Sequence, residues 1–237
     1  MQAADTSLVV SELPTANGCV LGTLTLNVES SLNSLTLEMI RAMTAALSAW
    51  RSRDDIVAIV LTGRGPKAFC AGGDIQALYR SCVANQQARS EVDDYARCFF
   101  TEEYQLNLLM HQYPKPLMTL GHGVVMGGGF GLLSASAFRV LTERSRLAFP
   151  EITIGLFPDA GGSWVLKQQP RAVAAFLGLT GSQLNARDAL ELGIGSHVIE
   201  HETRDELVLQ LDELPWSAGA NEANIARWGN FLATLQK

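Results

Sequence analysis

The run Ile56-Val57-Ala58-Ile59-Val60-Leu61-Thr62 stays apolar up to its last residue and is closed by Gly63. It is shorter than a typical helix, and it lacks the alternation that would leave one side wet. A strand of this kind must be covered on both faces, a condition met by a parallel sheet flanked by helices. The chain is therefore read as α/β.

Neighbouring segments fit that frame. Residues 19–26 partly alternate and are rich in β-formers, which predicts a strand. Ser34 or Thr36 is placed to cap a helix in which Ile40, Met43, Leu47 and Trp50 recur at three- and four-residue steps and share one buried face. Residues 75–113 read as helical with one interruption, and residues 117–120 and 138–141 as short strands. Beyond Gly161-Gly162 the pattern is helical, punctuated by Gly181 and Gly193, with a short strand at 197–199. Residues 215–220 read as a linker to a last helix containing Ile225, Trp228, Phe231 and Leu232.

Composition excludes several classes. The 237 residues, 47% hydrophobic and 18% charged, suit one soluble domain, and no window approaches the ~18 apolar residues of a membrane span. A net charge of −6 argues against a nucleic-acid partner. The start, Met1-Gln2-Ala3-Ala4-Asp5-Thr6, carries neither a secretory nor a transit pattern, so a cytoplasmic address is expected. Cys19, Cys70, Cys82 and Cys98 form no Cys-x-x-Cys pair, and the histidines form no His-Glu-x-x-His helix, so free thiols and no metal are expected.

Chemistry is concentrated in two glycine loops and two acids. Gly72-Gly73 precedes Asp74, a residue suited to cap the next helix, and Gly127-Gly128-Gly129 follows the strand at 117–120. Bare glycines let a backbone approach a ligand and aim N–H groups at a developing oxyanion, although close packing of a helix on a strand also asks for small residues. Glu151 and Asp159, eight residues apart, can supply a base, a nucleophile or an orienting group. Each alone is equally well a helix-entry or turn residue. His122 is read as a structural hydrogen-bonding residue, Cys70 as a packed one, and Trp216 and Trp228 as packing anchors. Gly129-Phe130-Gly131 imitates a dinucleotide fingerprint, but Ser134 stands at the third glycine and Glu151 follows Pro150 rather than ending a strand. No Gly-x-Ser-x-Gly elbow occurs.

Taken together, Ala68-Phe69-Cys70-Ala71-Gly72-Gly73-Asp74-Ile75, Met126-Gly127-Gly128-Gly129, Pro150-Glu151 and Gly155-Leu156-Phe157-Pro158-Asp159-Ala160-Gly161-Gly162 resemble the crotonase (enoyl-CoA hydratase/isomerase) superfamily. The resemblance is closest to its 3-hydroxyisobutyryl-CoA hydrolase branch and runs from about residue 19 to 200. It implies the ClpP/crotonase fold of repeated β-β-α units, with residues 1–200 as an acyl-CoA core and 201–237 as a shortened helical segment. It implies an oxyanion hole from the backbone N–H groups of Gly73 and Gly128, catalytic Glu151 and Asp159, and a substrate contact at Glu103. Hydratases of the family carry a glutamate two residues after the triple glycine, where this chain has Gly131, whereas Asp159 stands where the hydrolases place an acid.

The resemblance thus implies hydrolysis of a short hydroxyacyl-CoA, as in valine catabolism, with no cofactor beyond the CoA of the substrate. Glu151 attacks the thioester or activates a water, and Asp159 orients the substrate hydroxyl or protonates the leaving thiolate. An enoyl-CoA hydratase or isomerase is the alternative within the scaffold, and a non-catalytic acyl-CoA-binding protein the alternative outside it. Asn27-Val28-Glu29 lacks the family's basic residue; Arg64 and Lys67 could compensate as CoA-phosphate contacts, or belong simply to a solvated surface loop. Homotrimers or hexamers are the assemblies the family implies.

Overall fold

A computed structural model of the chain describes residues 7–90 and 92–235. The leader reading of residues 1–6 lies outside them. The chain opens with strands β1 (Leu8–Pro14) and β2 (Val20–Leu26) and helix α1 (Leu37–Arg51). The next unit is β3 (Ile56–Gly63), β4 (Ala68–Cys70), α2 (Ile75–Ala88) and α3 (Tyr95–His111). Then come β5 (Leu117–Gly121), β6 (Val124–Met126) and α4 (Gly128–Ser134), followed by β7 (Phe138–Thr142) and β8 (Arg146–Ala148). The remainder is α5 (Gly162–Lys167), α6 (Arg171–Thr180), β9 (Leu184–Asn185), α7 (Ala186–Glu191), β10 (His197–Ile199), α8 (Arg204–Asp212) and α9 (Asn221–Leu235).

The expected β-β-α repetition has a simple geometric result. The first strands of the later pairs join a six-stranded sheet of order β1-β2-β3-β5-β7-β10, parallel except for the β1–β2 hairpin. The second strands β4, β6 and β8 form a smaller parallel sheet, to which β9 adds antiparallel beside β8. Because β4 and β6 are parallel neighbours, the glycine loops that follow them leave the small sheet from the same end.

Strand periodicity divides the large sheet's side chains between two cores. Leu24, Leu26, Ile59, Leu61, Leu117 and Leu141 pack with α1, α3 and α4. Leu21, Val60, Met118, Leu120, Phe138 and Val140 pack with Leu207, Leu211, Trp216, Trp228 and Leu232 from the C-terminal helices and their connection. Each such side chain contributes about 1.5–3 kcal/mol when buried. A register shift where β2 meets β3, pairing Val20 with Ile56 but Leu21 with Ala58, leaves Val57 as an extra residue, so Val57 and Ala58 both join the second core.

Local signals act as read, with one choice decided. Thr36 caps α1, its side chain accepting from Met39 N at 3.2 Å, while Ser34 Oγ donates to Ser31 O instead. Ile40, Met43, Leu47 and Trp50 are buried. Asp74 Oδ1 accepts from Ala77 N at 3.0 Å and caps α2. Trp216 and Trp228 meet edge to face at 5.6 Å inside the second core. Among the described residues no helix is long and apolar enough to cross a membrane.

Candidate active site

Leu35 fixes the first glycine loop. Its N–H donates to Gly72 O at 2.8 Å and its carbonyl accepts from Asp74 N at 2.9 Å, the pairing of a parallel bridge centred on Gly73. That pairing does not use the N–H of Gly73, which is left for another partner. Gly128 opens α4, where an N–H has no intrahelical acceptor.

The two loops touch. A Cβ on Gly72 would lie 3.3 Å from Met126 O and 3.8 Å from Gly128 N, and one on Gly129 would collide with Cys70 O. Gly127 adopts φ 51°, ψ −124°, a conformation open in practice to glycine alone. Three glycines in succession are thus required by a positive-φ turn at Gly127, by the Glu103 carboxyl beside Gly128 and by a close backbone approach at Gly129.

Glu151 lies in a 3₁₀ turn, Pro150–Ile154, and is that turn's buried member at 6% exposure. Its Oε2 has no hydrogen-bond partner, and its Oε1 would sit 3.5 Å from a Cβ on Gly127. Burial pushes its carboxyl up to about 7, opposed by its own backbone N–H and assisted by the charge of Asp159. Of its apolar neighbours in sequence, Phe149 is buried, but Ile152, Ile154 and Phe157 are 42%, 55% and 66% exposed. Glu151 is dried by the glycine loops packed against it, while Ile154 lies at the mouth of the cleft.

Glu103, on α3, is 2% exposed, and a Cβ on Gly128 would run into its Oε1. Burial pushes it up to about 8, with the charges of Asp159 and Glu151 adding to the effect. Its neighbour Glu102 takes the opposite role, forming a two-pronged pair with Arg41 at 2.8 and 2.7 Å on the surface. Asp159 accepts a 2.7 Å hydrogen bond from the Tyr104 hydroxyl, which holds down a carboxyl that burial raises. Ala160 beside it has φ 42°, an uncommon conformation for a residue with a side chain.

All five sequence-predicted positions, Gly73, Glu103, Gly128, Glu151 and Asp159, line one cleft of about 580 Å³. Leu78, Phe99, Phe100 and Leu156 supply apolar wall. Tyr104 was not singled out from sequence, although its position next to Glu103 was the available signal. At Gly131 a side chain has no room, because its Cβ would stand 2.7 Å from Ala160 Cβ and 3.1 Å from Asn107 Nδ2.

The set-aside residues behave as structure. His122 is buried with Nε2 2.8 Å from Gly65 O, and Cys70 is buried with its thiol pushed up to about 12. Arg64 donates to Asn27 Oδ1 at 3.2 Å. Among the described residues no His, Cys, Asp or Glu cluster is arranged to hold a metal.

The family model described as enoyl-CoA hydratase/isomerase matches residues 21–233. The chain belongs to the enoyl-CoA hydratase/isomerase family. Within this family it is 40% identical over 209 residues to the mitochondrial 3-hydroxyisobutyryl-CoA hydrolase of Homo sapiens, covering 88% of this chain and 51% of the relative. The enzyme of that name from Bos taurus is 43% identical over 185 residues, covering 78% and 46%. The chain thus spans about half the length of these curated relatives. Among solved structures, a carnitinyl-CoA dehydratase from Mycobacterium thermoresistibile superposes with TM-score 0.80 at 34% identity, covering 94% of this chain and 60% of that one. An enoyl-CoA hydratase from Rhodobacter sphaeroides 2.4.1 gives 0.79 at 32% identity, covering 87% and 58%. The crotonase fold expected from the motifs is therefore the fold of the family's solved members.

Proposed function

We propose that the chain hydrolyses a short hydroxyacyl-CoA thioester of the 3-hydroxyisobutyryl-CoA kind to the free acid and CoA. The observation that carries this reading is the single cleft shared by Gly73, Gly128, Glu103, Glu151 and Asp159, beside a position 131 that can hold no acid. The thioester oxygen accepts from the N–H groups of Gly73 and Gly128, donors worth roughly 3–4 kcal/mol each in comparable sites. Glu151, with a carboxyl poised at about 7, takes a proton from water as its oxygen adds to the carbonyl carbon. Collapse of the tetrahedral intermediate breaks the carbon–sulfur bond, and the thiolate leaves with a proton returned from the acids. Direct attack by Glu151, through an anhydride that water then opens, fits the same positions.

Asp159, oriented by Tyr104, faces the substrate's polar end or the departing sulfur. Glu103 stays protonated to about pH 8 and so serves as a hydrogen-bond donor to substrate. No cofactor beyond the CoA of the substrate enters the scheme. Residues 1–200 carry the acyl-CoA core in this reading, 201–237 close the sheet's far side, and assembly is trimeric or hexameric. The relatives are named mitochondrial; a cytoplasmic place and a role in valine catabolism are our reading for this chain.

Release of free thiol from 3-hydroxyisobutyryl-CoA tests the proposal. The solved neighbours titled as dehydratase and hydratase favour a second reading, hydration or isomerisation with Glu151 as sole acid-base group. Loss of enoyl absorbance without thiol release would select it, and no heat on titrating CoA would leave a non-catalytic scaffold.

A further inference from the structure

Residues 32–35 form a backing shared by both halves of the proposed oxyanion hole. Ala71 N donates to Leu32 O at 3.0 Å, and with the Leu35 bonds to Gly72 and Asp74 this makes a seam along the first glycine loop. The same segment touches the second loop through a side chain, since a Cβ on Gly128 would lie 3.5 Å from Leu35 Cδ2. One loop is hydrogen-bonded to the segment and the other only packs on it, so a shift of residues 32–35 alters the spacing between Gly73 and Gly128.

Backbone preference does not hold the segment in place. Leu32 and Asn33 have φ 54° and 57°, left-handed values that are uncommon for leucine and tolerated by asparagine. The Asn33 side chain fixes them instead, and it is wholly buried. Its Oδ1 accepts from Val28 N at 2.9 Å, and its Nδ2 donates to Arg64 O and Ala68 O, both at 3.0 Å. The carboxamide thus joins the turn after β2, the connection from β3 to β4, and the segment itself. Gly63 leaves room for it, because a Cβ there would lie 2.9 Å from Asn33 Nδ2. Ala68, the acceptor farthest along the chain, opens the strand that runs into Gly72 and Gly73.

We propose that Asn33 is a positioning residue that sets the spacing of the Gly73 and Gly128 N–H donors. It lies outside the cleft lining and acts through Leu35 on one side and β4 on the other. Donors aimed at a developing oxyanion must stand at hydrogen-bond distance from one point, and a misplacement of about 1 Å costs on the order of 10²-fold in rate. A carboxamide suits the task, since both of its N–H groups and its oxygen are spent on backbone partners and no charge is buried.

The inference rests on the thioester reading of the cleft, and the test separates the two. Wild type is compared with Asn33→Asp, which keeps the size, the left-handed backbone and the acceptor but not the two donors, and with Asn33→Gly, which removes the side chain and tolerates the same φ. Two unreactive probes are titrated: a short acyl-CoA ketone, with methylene in place of the thioester sulfur, and the matching alkyl-CoA thioether, which has no carbonyl. The wild type is expected to prefer the ketone, and both variants to lose that preference by about fivefold with thioether binding unchanged. Thiol release from 3-hydroxyisobutyryl-CoA, per folded molecule, should lose roughly 10²-fold in kcat while KM moves by no more than about fivefold. If the wild type releases no thiol, the hydrolase reading fails and the ketone-to-thioether ratio still decides the role of Asn33. A wild-type ratio near one, no binding of either probe, equal losses on both, or an unchanged ratio or kcat in a folded variant overturns the proposal. Should one variant not fold, the other decides it; loss of the fold in both would make Asn33 structural alone and overturn the positioning role.

Discussion

On the far face of the six-stranded sheet, Leu207, Leu211, Trp216, Trp228 and Leu232 close a dry core, and the Trp216 ring N–H donates to Leu211 O at 2.7 Å. The ring N–H of Trp228 has no partner there, and at the end of α8 neither does Asp212 Oδ1. The near face ends instead in a cleft where Glu103 and Glu151 are buried acids, Glu151 Oε2 lacks a partner, and Gly127 and Ala160 hold positive φ. One side of the sheet holds the fold, and the other spends part of that stability on groups kept poorly solvated. Under the proposed function, the difference separates residues whose loss unfolds the chain from residues whose loss stops thioester hydrolysis.

The sharpest way to break this contrast is at Glu151. Glu151→Gln is expected to lower thiol release on the order of 10³-fold or more, with the melting temperature kept or raised because a neutral amide replaces a buried acid. Near-normal turnover would remove Glu151 from the chemistry. Trp228→Ala should do the reverse, costing about 3–5 kcal/mol in urea unfolding while turnover per folded molecule survives. A Trp228 variant that stays stable but dead would show that the two faces are not separable.

The buried acids also set a pH dependence. Glu103 and Glu151 are raised from 4.5 to about 8 and about 7, so between those values the folded chain binds more protons than the unfolded one. Stability therefore falls as pH rises across that window and is level above it. Melting curves across the range check this, and Glu103→Gln should flatten the slope; a slope indifferent to that change would place the acids in water. Thiol release should rise over the same range, as Glu151 loses its proton near pH 7.

Smaller effects sharpen the contrast. Gly131→Glu should cost about 1–3 kcal/mol by crowding Ala160 and Asn107, without creating hydration of an enoyl thioester. Hydration gained in that variant would mean that the missing acid, not the missing room, defines this chain. Tyr104→Phe removes the hydrogen bond to Asp159, a change of about 1 kcal/mol, visible as a few-fold drop in kcat. An unchanged kcat would make Tyr104 a bystander.

The sequence carried the large sheet because burial on both faces leaves a continuous apolar record, as in Ile56–Gly63, and it carried α1 through its buried stripe. It did not reveal the small sheet. Strands such as Ala68–Cys70 and Arg146–Ala148 have three residues, too few for a period of two to register. Strand β1 also escaped, since Leu8 is its one buried residue. At the site, motif order placed the glycines and acids together, whereas the Tyr104–Asp159 contact joins residues 55 apart in sequence. Only the packing of α3 against the loops creates it. Of the apolar residues flanking Glu151 in sequence, Phe149 is buried, whereas Ile152 and Ile154 are turned outward by the tight turn that buries Glu151.

Helix α3 presents Glu103 and Tyr104 from a single rod seated on Phe99 and Leu106. These two side chains therefore share one mechanical mounting. A disturbance at its base, far from any reacting atom, should detune acid and phenol together, leaving a fingerprint of simultaneous failures that no single replacement at the tip can imitate.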